Sequence, residues 1–228
     1  MHGTPHIVSD VMTRTVVSVG RDAPFKEIVQ TMQQWKASAL PVLEGEGRVI
    51  GVVSEADLLP KEEYRDSDPS RFEQLRRLDD LAKAGAVTAG QLMTTPAVSI
   101  HADATLAQAA RAMATKRVKR LPVIDAQAML VGIVSRSDLL KVFLRPDEDL
   151  AEEIRREVVE YLFPGEPSPV RVRVAEGVVT LSGPIRDTSL VPVAARLARA
   201  VEGVVDVECE LTGPAPERMG PPVVGPMF

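Results

Sequence analysis

The sequence predicts an α+β protein: two copies of a β-α-β-β-α unit packed together, then a smaller α-β-β-α-β domain. Three observations carry that prediction. The chain repeats itself at an offset of 81 residues, without a gap, from Val11/Leu92 to Leu59/Leu140. Within each copy the apolar pattern switches between the two-residue period of strands and the 3.6-residue period of helices, in the same order. After Pro146 the charge balance reverses. Residues 1–146 hold 19 basic and 17 acidic side chains, whereas residues 147–213 hold 7 and 14.

The repeat is strongest at a few short runs. Met12-Thr13 recurs as Met93-Thr94, Asp22-Ala23 as Asp103-Ala104, and Leu40-Pro41-Val42 as Leu121-Pro122-Val123. Gly51-Val52-Val53-Ser54 recurs as Gly132-Ile133-Val134-Ser135, and Asp57-Leu58-Leu59 as Asp138-Leu139-Leu140. About a third of the paired positions are identical, and most others keep their apolar or polar character.

In the first copy, Val16, Val17 and Val19 form a short β-rich run. Asp22 is placed to cap a helix, with Pro24 tolerated in its first turn. Phe25, Ile28, Val29 and Met32 then share one helical face, matched by Leu106, Ala109, Ala110 and Met113. Leu40 to Leu43 reads as a strand, Glu44-Gly45-Glu46-Gly47 as a turn and Val49 to Val53 as a second strand. A helix follows from Ser54. A unit of this size buries its faces poorly alone, so two copies are expected to pack on each other. Between them, Pro69-Ser70 can start a helix on which Phe72, Leu75, Leu78 and Leu81 recur every three residues. The expected divisions are 8–64 for the first copy, 65–88 for the connecting helix and 89–145 for the second.

Val11-Met12-Thr13, Leu40-Pro41-Val42 and Gly51-Val52-Val53-Ser54-Glu55-Ala56-Asp57, with their partners in the second copy, resemble the CBS domain family. The likeness spans roughly residues 8 to 145. It implies a pseudo-twofold pair with two clefts, the usual sites for AMP, ADP, ATP or S-adenosylmethionine, and an association into homodimers.

The chemistry for such a site is present. An ionised aspartate offers only acceptors, so Asp57 or Asp138 can take both hydroxyls of a ribose. Ser54 and Ser135 stand three residues earlier, at helix starts whose free N–H groups favour an anion. The same Ser-x-x-Asp spacing is also a capping box that needs no ligand. Lys116-Arg117-Val118-Lys119-Arg120 can neutralise a polyphosphate, or it can be a solvated helix end. The resemblance places residues before Leu-Pro-Val at the phosphate end of a cleft whose ribose aspartate comes from the other copy. Asp57 therefore goes with Lys119 and Arg120. Ser38-Ala39 occupy those positions in the first copy, so a phosphorylated ligand is expected in the Asp57 cleft, and the Asp138 cleft, with Arg136 as its expected cation, is either empty or takes a less charged ligand. Val16-Val17 and Ala97-Val98 are the resemblance's positions for an adenine slot, and plain strand core is the other reading of them. Trp35 is either packing or a cleft wall.

The C-terminal part begins with a helix from Asp149 to Phe163, with Leu150, Ile154, Val158 and Leu162 on one face. Val170 to Val174 alternates as a half-buried strand does, Glu176-Gly177 turns the chain, and Val178 to Ser182 runs back. Asp187 is placed to cap a helix carrying Val193, Ala194, Leu197, Ala198 and Val201, and Gly203 ends it. A last strand covers Val204 to Leu211, with Val205, Val207, Cys209 and Leu211 alternating. Gly177-Val178-Val179-Thr180-Leu181-Ser182-Gly183 and Val201-Glu202-Gly203-Val204-Val205-Asp206-Val207 resemble the BON domain family over residues 147 to 213. That family is associated with phospholipid surfaces or other macromolecules. The acidic balance of this segment opposes attraction to anionic headgroups, which favours a protein partner over a membrane. Residues 214–228 form a Pro- and Gly-rich tail expected to lack fixed structure.

Other chemistries find little support. The net charge is −5 and the pI about 5.4, which argues against a nucleic-acid binder. One cysteine, Cys209, precludes an internal disulfide and fits a reducing compartment, so cytoplasm is expected. Alternating with valines, it reads as core. No apolar run is long enough for a membrane span, and no secretory leader pattern opens the chain. His2 and His6 lie at a terminus and His101 in a loop, so no metal site is expected. Phosphate-loop, dinucleotide and nucleophile-elbow patterns are missing, and no cofactor or catalytic residue is expected.

Overall fold

A computed structural model describes residues 6–64, 78–165 and 169–214. Pro69, Ser70, Phe72, Leu75, His2 and the tail from 215 onward lie outside them. The chain divides into two compact units, Pro5–Lys141 and the segment from Val142 onward.

The first unit holds both repeats. In chain order its elements are α1 (Val8–Val11), β1 (Val19–Gly20), α2 (Phe25–Trp35), β2 (Ala39–Glu44), β3 (Arg48–Ser54), α3 (Glu55–Leu58), α4 (Pro60–Glu63) and α5 (Leu78–Gly85). The second copy follows as α6 (Ala89–Leu92), β4 (Ile100–His101), α7 (Leu106–Lys116), β5 (Arg120–Ile124), β6 (Leu130–Ser135) and α8 (Arg136–Leu139). Each copy forms a three-stranded sheet, its first strand parallel to the second and the second antiparallel to the third. Both sheets shift register at the same place, between Val42 and Leu43 and between Val123 and Ile124. The β-α-β-β-α order is as the repeat predicts.

Some local details differ. Val16 and Val17 stay outside β1, where parallel pairing to β2 begins only at Val19. Pro24, not Asp22, stands at the start of α2, and Asp22 is exposed in the preceding turn. The second copy is better capped, because Thr105 Oγ accepts from the Gln108 N–H at 3.2 Å while Gln108 returns a bond to the Thr105 N–H. Ala110 is exposed on α7, and Leu78 is exposed on the connecting helix α5.

The copies are joined by reciprocal exchange. Thr13 and Ile133 trade backbone hydrogen bonds at 2.9 Å in both directions, and Thr94 and Val52 do the same at 2.9 and 3.2 Å. Val8 N–H donates to Ala104 O, and Ala89 N–H donates to Ala23 O. So α1 packs on the second copy, whereas Ala89 and Leu92 of α6 join the first copy's core with Ile28, Leu40, Val42 and Val53. Side chains follow the same rule. Met93 lies over Gly51, where a Cβ would come within 2.4 Å of its sulfur; Met12 lies over Gly132, at 2.5 Å. Gly51→Ala is expected to cost roughly 1–3 kcal/mol by overpacking this seam. Gly20→Ala, with nothing within 4 Å of the new carbon, should be close to neutral. Thermal melts of the two variants side by side check this.

The second unit has the predicted α-β-β-α-β order. α9 (Asp147–Ile154) runs through a π-helical stretch (Arg155–Val159) into α10 (Glu160–Leu162). Strands β7 (Arg171–Ala175) and β8 (Val178–Pro184) pair antiparallel. A short turn (Thr188–Leu190), α11 (Val191–Ala200) and β9 (Asp206–Thr212) complete it, with β9 parallel to β8. The π-helical stretch advances the buried face by one residue. Val158 and Val159 are both buried, and Phe163 takes the inward place that simple periodicity gives to Leu162. Asp187 caps the short turn, accepting from Ser189 N–H, rather than α11 itself. Val205 precedes β9 and is exposed. Cys209 is half-buried against the core, and burial pushes its thiol pKa up. Arg145, assigned by the sequence to the second repeat, belongs structurally to this unit; its guanidinium donates to Glu202 O at 2.7 Å and pairs with Glu153 at 2.6 Å. Among the described residues no helix is long and apolar enough to cross a membrane.

Candidate functional site

Strand β3 delivers Ser54 in extended conformation, φ −123°, directly into α3. One turn later Asp57 is 7% exposed. Its Oδ2 accepts from the Ser54 N–H at 2.8 Å and from the Ser54 hydroxyl at 2.7 Å. Its Oδ1 is ion-paired with Lys83 Nζ of the connecting helix. A carboxylate oxygen has about two lone pairs, so Oδ2 is saturated and Oδ1 keeps one acceptor position. The capping-box geometry and an acceptor open to a ligand therefore coexist.

Asp57 lines a cavity of about 270 Å³ together with Arg117, Lys119 and Arg120 of the other copy. Lys119 and Arg120, the cations that the sequence reading pairs with Asp57, share this cavity's lining with it. Arg120 Nη1 donates to Ser38 Oγ at 2.5 Å, anchoring the cation at the cavity wall. Among the described residues none of the three cations pairs with a carboxylate. The cavity lining thus sets three cations against the carboxylates of Glu55 and Asp57, of which Asp57 is already paired with Lys83, and the positive excess favours an anion. Arg117 reaches the wall because it ends α7 in the left-handed conformation, φ 55°. That conformation costs a residue with a Cβ about 1–2 kcal/mol. Since α3 has only four residues, its helix dipole is short, and the positive character of the cavity comes mainly from the cations. Val98 lines this cavity; Ala97 does not.

The second cleft, about 330 Å³, is built on Asp138 and Ser135, with Val16, Val17 and Trp35 on its walls. Trp35 is 56% exposed, so it is a wall rather than core packing. Asp138 Oδ2 accepts from Ser135 N–H at 2.9 Å and from its hydroxyl at 2.6 Å, and Oδ1 pairs with Lys141 at 2.8 Å. Burial by itself raises the Asp138 pKa, but hydrogen bonds from Lys141 and Ser135 outweigh it and hold the carboxyl below its ordinary value. Arg136 is not the cation of this cleft. Its guanidinium turns away to donate to Val118 O at 3.1 Å. Lys36 and Arg120 supply the positive charge instead. Lys36 ends α2 at φ 50°, as Arg117 ends α7, and the register 36/117 is the signal by which it could have been found. Arg120 stands on the walls of both clefts.

Comparisons with known proteins agree with this architecture. The CBS domain family matches residues 8–62 and again residues 89–145, and the BON domain family matches residues 146–214. The uncharacterised protein MJ1426 of Methanocaldococcus jannaschii is 26% identical over 160 residues, 63% of this chain and 95% of that protein. The chloroplastic CBS domain-containing protein CBSX2 of Arabidopsis thaliana is 26% identical over 155 residues, 61% of this chain and 64% of that protein. The crystal structure of CBSX2 in complex with AMP superposes with a TM-score of 0.54 at 28% identity, over 61% of this chain and 97% of the crystallised one.

Proposed function

The chain is a tandem CBS-domain protein whose pair is followed by a BON domain, and from that premise we propose that it senses an adenosine-containing ligand. AMP, ADP, ATP or S-adenosylmethionine binds between the repeats, and the chain regulates a partner rather than catalysing a reaction. The observation that carries the reading is the Asp57 cavity: an aspartate from one copy faces Arg117, Lys119 and Arg120 from the other. The AMP complex of CBSX2 supports it. Three cations outnumber Glu55, the lining carboxylate other than the Lys83-paired Asp57, and this balance favours phosphate over the positively charged sulfonium of S-adenosylmethionine, so the Asp57 cleft takes the phosphorylated ligands. The Asp138 cleft, with Lys36 and Arg120, takes a less charged one. Binding shifts the geometry of the pair within a homodimer, and the BON domain passes the change to a protein partner. A cytoplasmic setting fits a single half-buried cysteine.

Calorimetric titration with the four ligands tests the reading. At least one should bind below millimolar, and Asp57→Ala should weaken it about tenfold through the lost ribose contacts. No heat at millimolar concentration of any ligand would sink the proposal.

One observation favours a second reading. Ser54 and Ser135 already engage one oxygen of each aspartate in the helix-cap arrangement, and a lysine engages the other. A ligand-free interaction protein needs nothing more, with the BON domain docking to a partner or, against its charge, to a membrane surface. It predicts an unchanged melting temperature with every nucleotide, whereas a ligand at a hundred times its Kd should add about 2.7 kcal/mol.

A further inference from the structure

The two cleft aspartates are held alike by unlike means. In each, Oδ2 is fixed by the backbone and hydroxyl of a serine three residues earlier, and Oδ1 by a lysine. For Asp138 that lysine is local: Lys141, one turn on and 55% exposed. In the repeat register Lys141 corresponds to Pro60, which has no cation to offer. The first copy takes its lysine from outside the repeat, as Lys83 in the last turn of α5, and this pair is far less exposed, at 22% and 10%. The same turn is tied a second time. Lys61 Nζ donates to Ala84 O at 2.9 Å while lying 5.3 Å from the centre of the Phe25 ring.

We propose that Lys83 is the positioning residue of the Asp57 cleft, and that through it the connecting helix α5 registers occupation of that cleft and not of the other. This rests on the adenosine-ligand reading above. A ribose diol needs two acceptors on the carboxylate. One is the remaining position on Oδ1, and the other opens on Oδ2 when the Ser54 hydroxyl rotates away. The Ser54 N–H and Lys83 then hold the carboxylate plane. A ligand hydroxyl on Oδ1 shares that oxygen with Lys83, so the ligand and the last turn of α5 are linked through one atom. At Asp138 the same sharing falls on Lys141, beside α8, and no separate element is drawn in.

The test uses AMP and the full chain carrying Asp138→Ala, so that only the Asp57 cleft keeps its aspartate. AMP should alter amide hydrogen exchange across residues 78–85. Adding Lys83→Met should weaken AMP about tenfold and abolish that response, while Lys83→Arg should keep affinity within about threefold. In the otherwise unaltered chain, Lys141→Met should leave the α5 response intact. The inference is overturned if Asp138→Ala stops AMP binding, if Lys83→Met binds as tightly as its parent, or if exchange in α5 ignores AMP. The exchange measurement on the parent needs no lysine variant, so a Lys83→Met protein that fails to fold does not shelter the idea. Failure of the unaltered chain to bind any of the four ligands sinks the functional reading instead.

Discussion

Changing Lys119 and Arg120 together to alanine is expected to weaken ADP binding at least a hundredfold while leaving adenosine within about threefold. A hydrogen bond between charged partners contributes roughly 1.5–3 kcal/mol, and each 1.4 kcal/mol is a factor of ten. Two such contacts account for the loss even if Arg117 takes over part of the work. Adenosine carries no phosphate, so its affinity should rest on Asp57 and the apolar wall and hardly notice the change. Raising the salt concentration should weaken ADP more than adenosine, because screening acts on charge. Paired titrations by calorimetry read all of this. If adenosine loses as much as ADP, the cations support the cavity rather than grip a phosphate. A melt of the double variant separates that outcome from unfolding, since loss of Arg120 also removes its bond to Ser38.

Gly183→Ala is expected to unfold the C-terminal unit. The backbone there has φ +130°, and a Cβ would stand 2.2 Å from the carbonyl oxygen of Pro169. Neither atom belongs to a flexible side chain, so relief requires moving β8 or the segment entering β7. Strained backbone together with a main-chain collision puts the cost at roughly 4 kcal/mol or more, a large part of what a small domain has. Loss of the slow-exchanging amides of β8, around the buried Val179 and Leu181, should report it. AMP binding should persist, because the clefts are built wholly within the other unit. Persistence of the β8 amides in the variant would show that the strand can yield.

What could be read from the chain alone follows from what the repeat encodes. Positions duplicated at the 81-residue offset are fixed by the same contacts twice, so the strand order and both Ser-x-x-Asp turns were legible; the pairing of Asp57 with Lys119 and Arg120 came from the family resemblance, because Ser38-Ala39 break the repeat there. Lys83 was not legible, because it sits in the unrepeated connector and no register points to it. Lys36 was hidden for another reason. A lysine at a helix end reads as solvated surface, and only the left-handed turn of its backbone aims it at the Asp138 cleft. Arg136 looked available by its place beside Ser135, yet a carbonyl on its own copy captured it. In the smaller domain, periodicity follows α9 correctly until the π-helical stretch adds a residue, and Val159 and Phe163 then turn inward against expectation.

The methionine–glycine contacts have a consequence for how the two repeats exist at all. Each repeat carries a notch where its strand lacks a side chain and a tooth that fills its sibling's notch. A half cut free has an open groove on one side and an apolar prong in water on the other, and nothing of its own closes either. The seam between the halves is therefore not a junction of two finished domains but the place where each becomes finished.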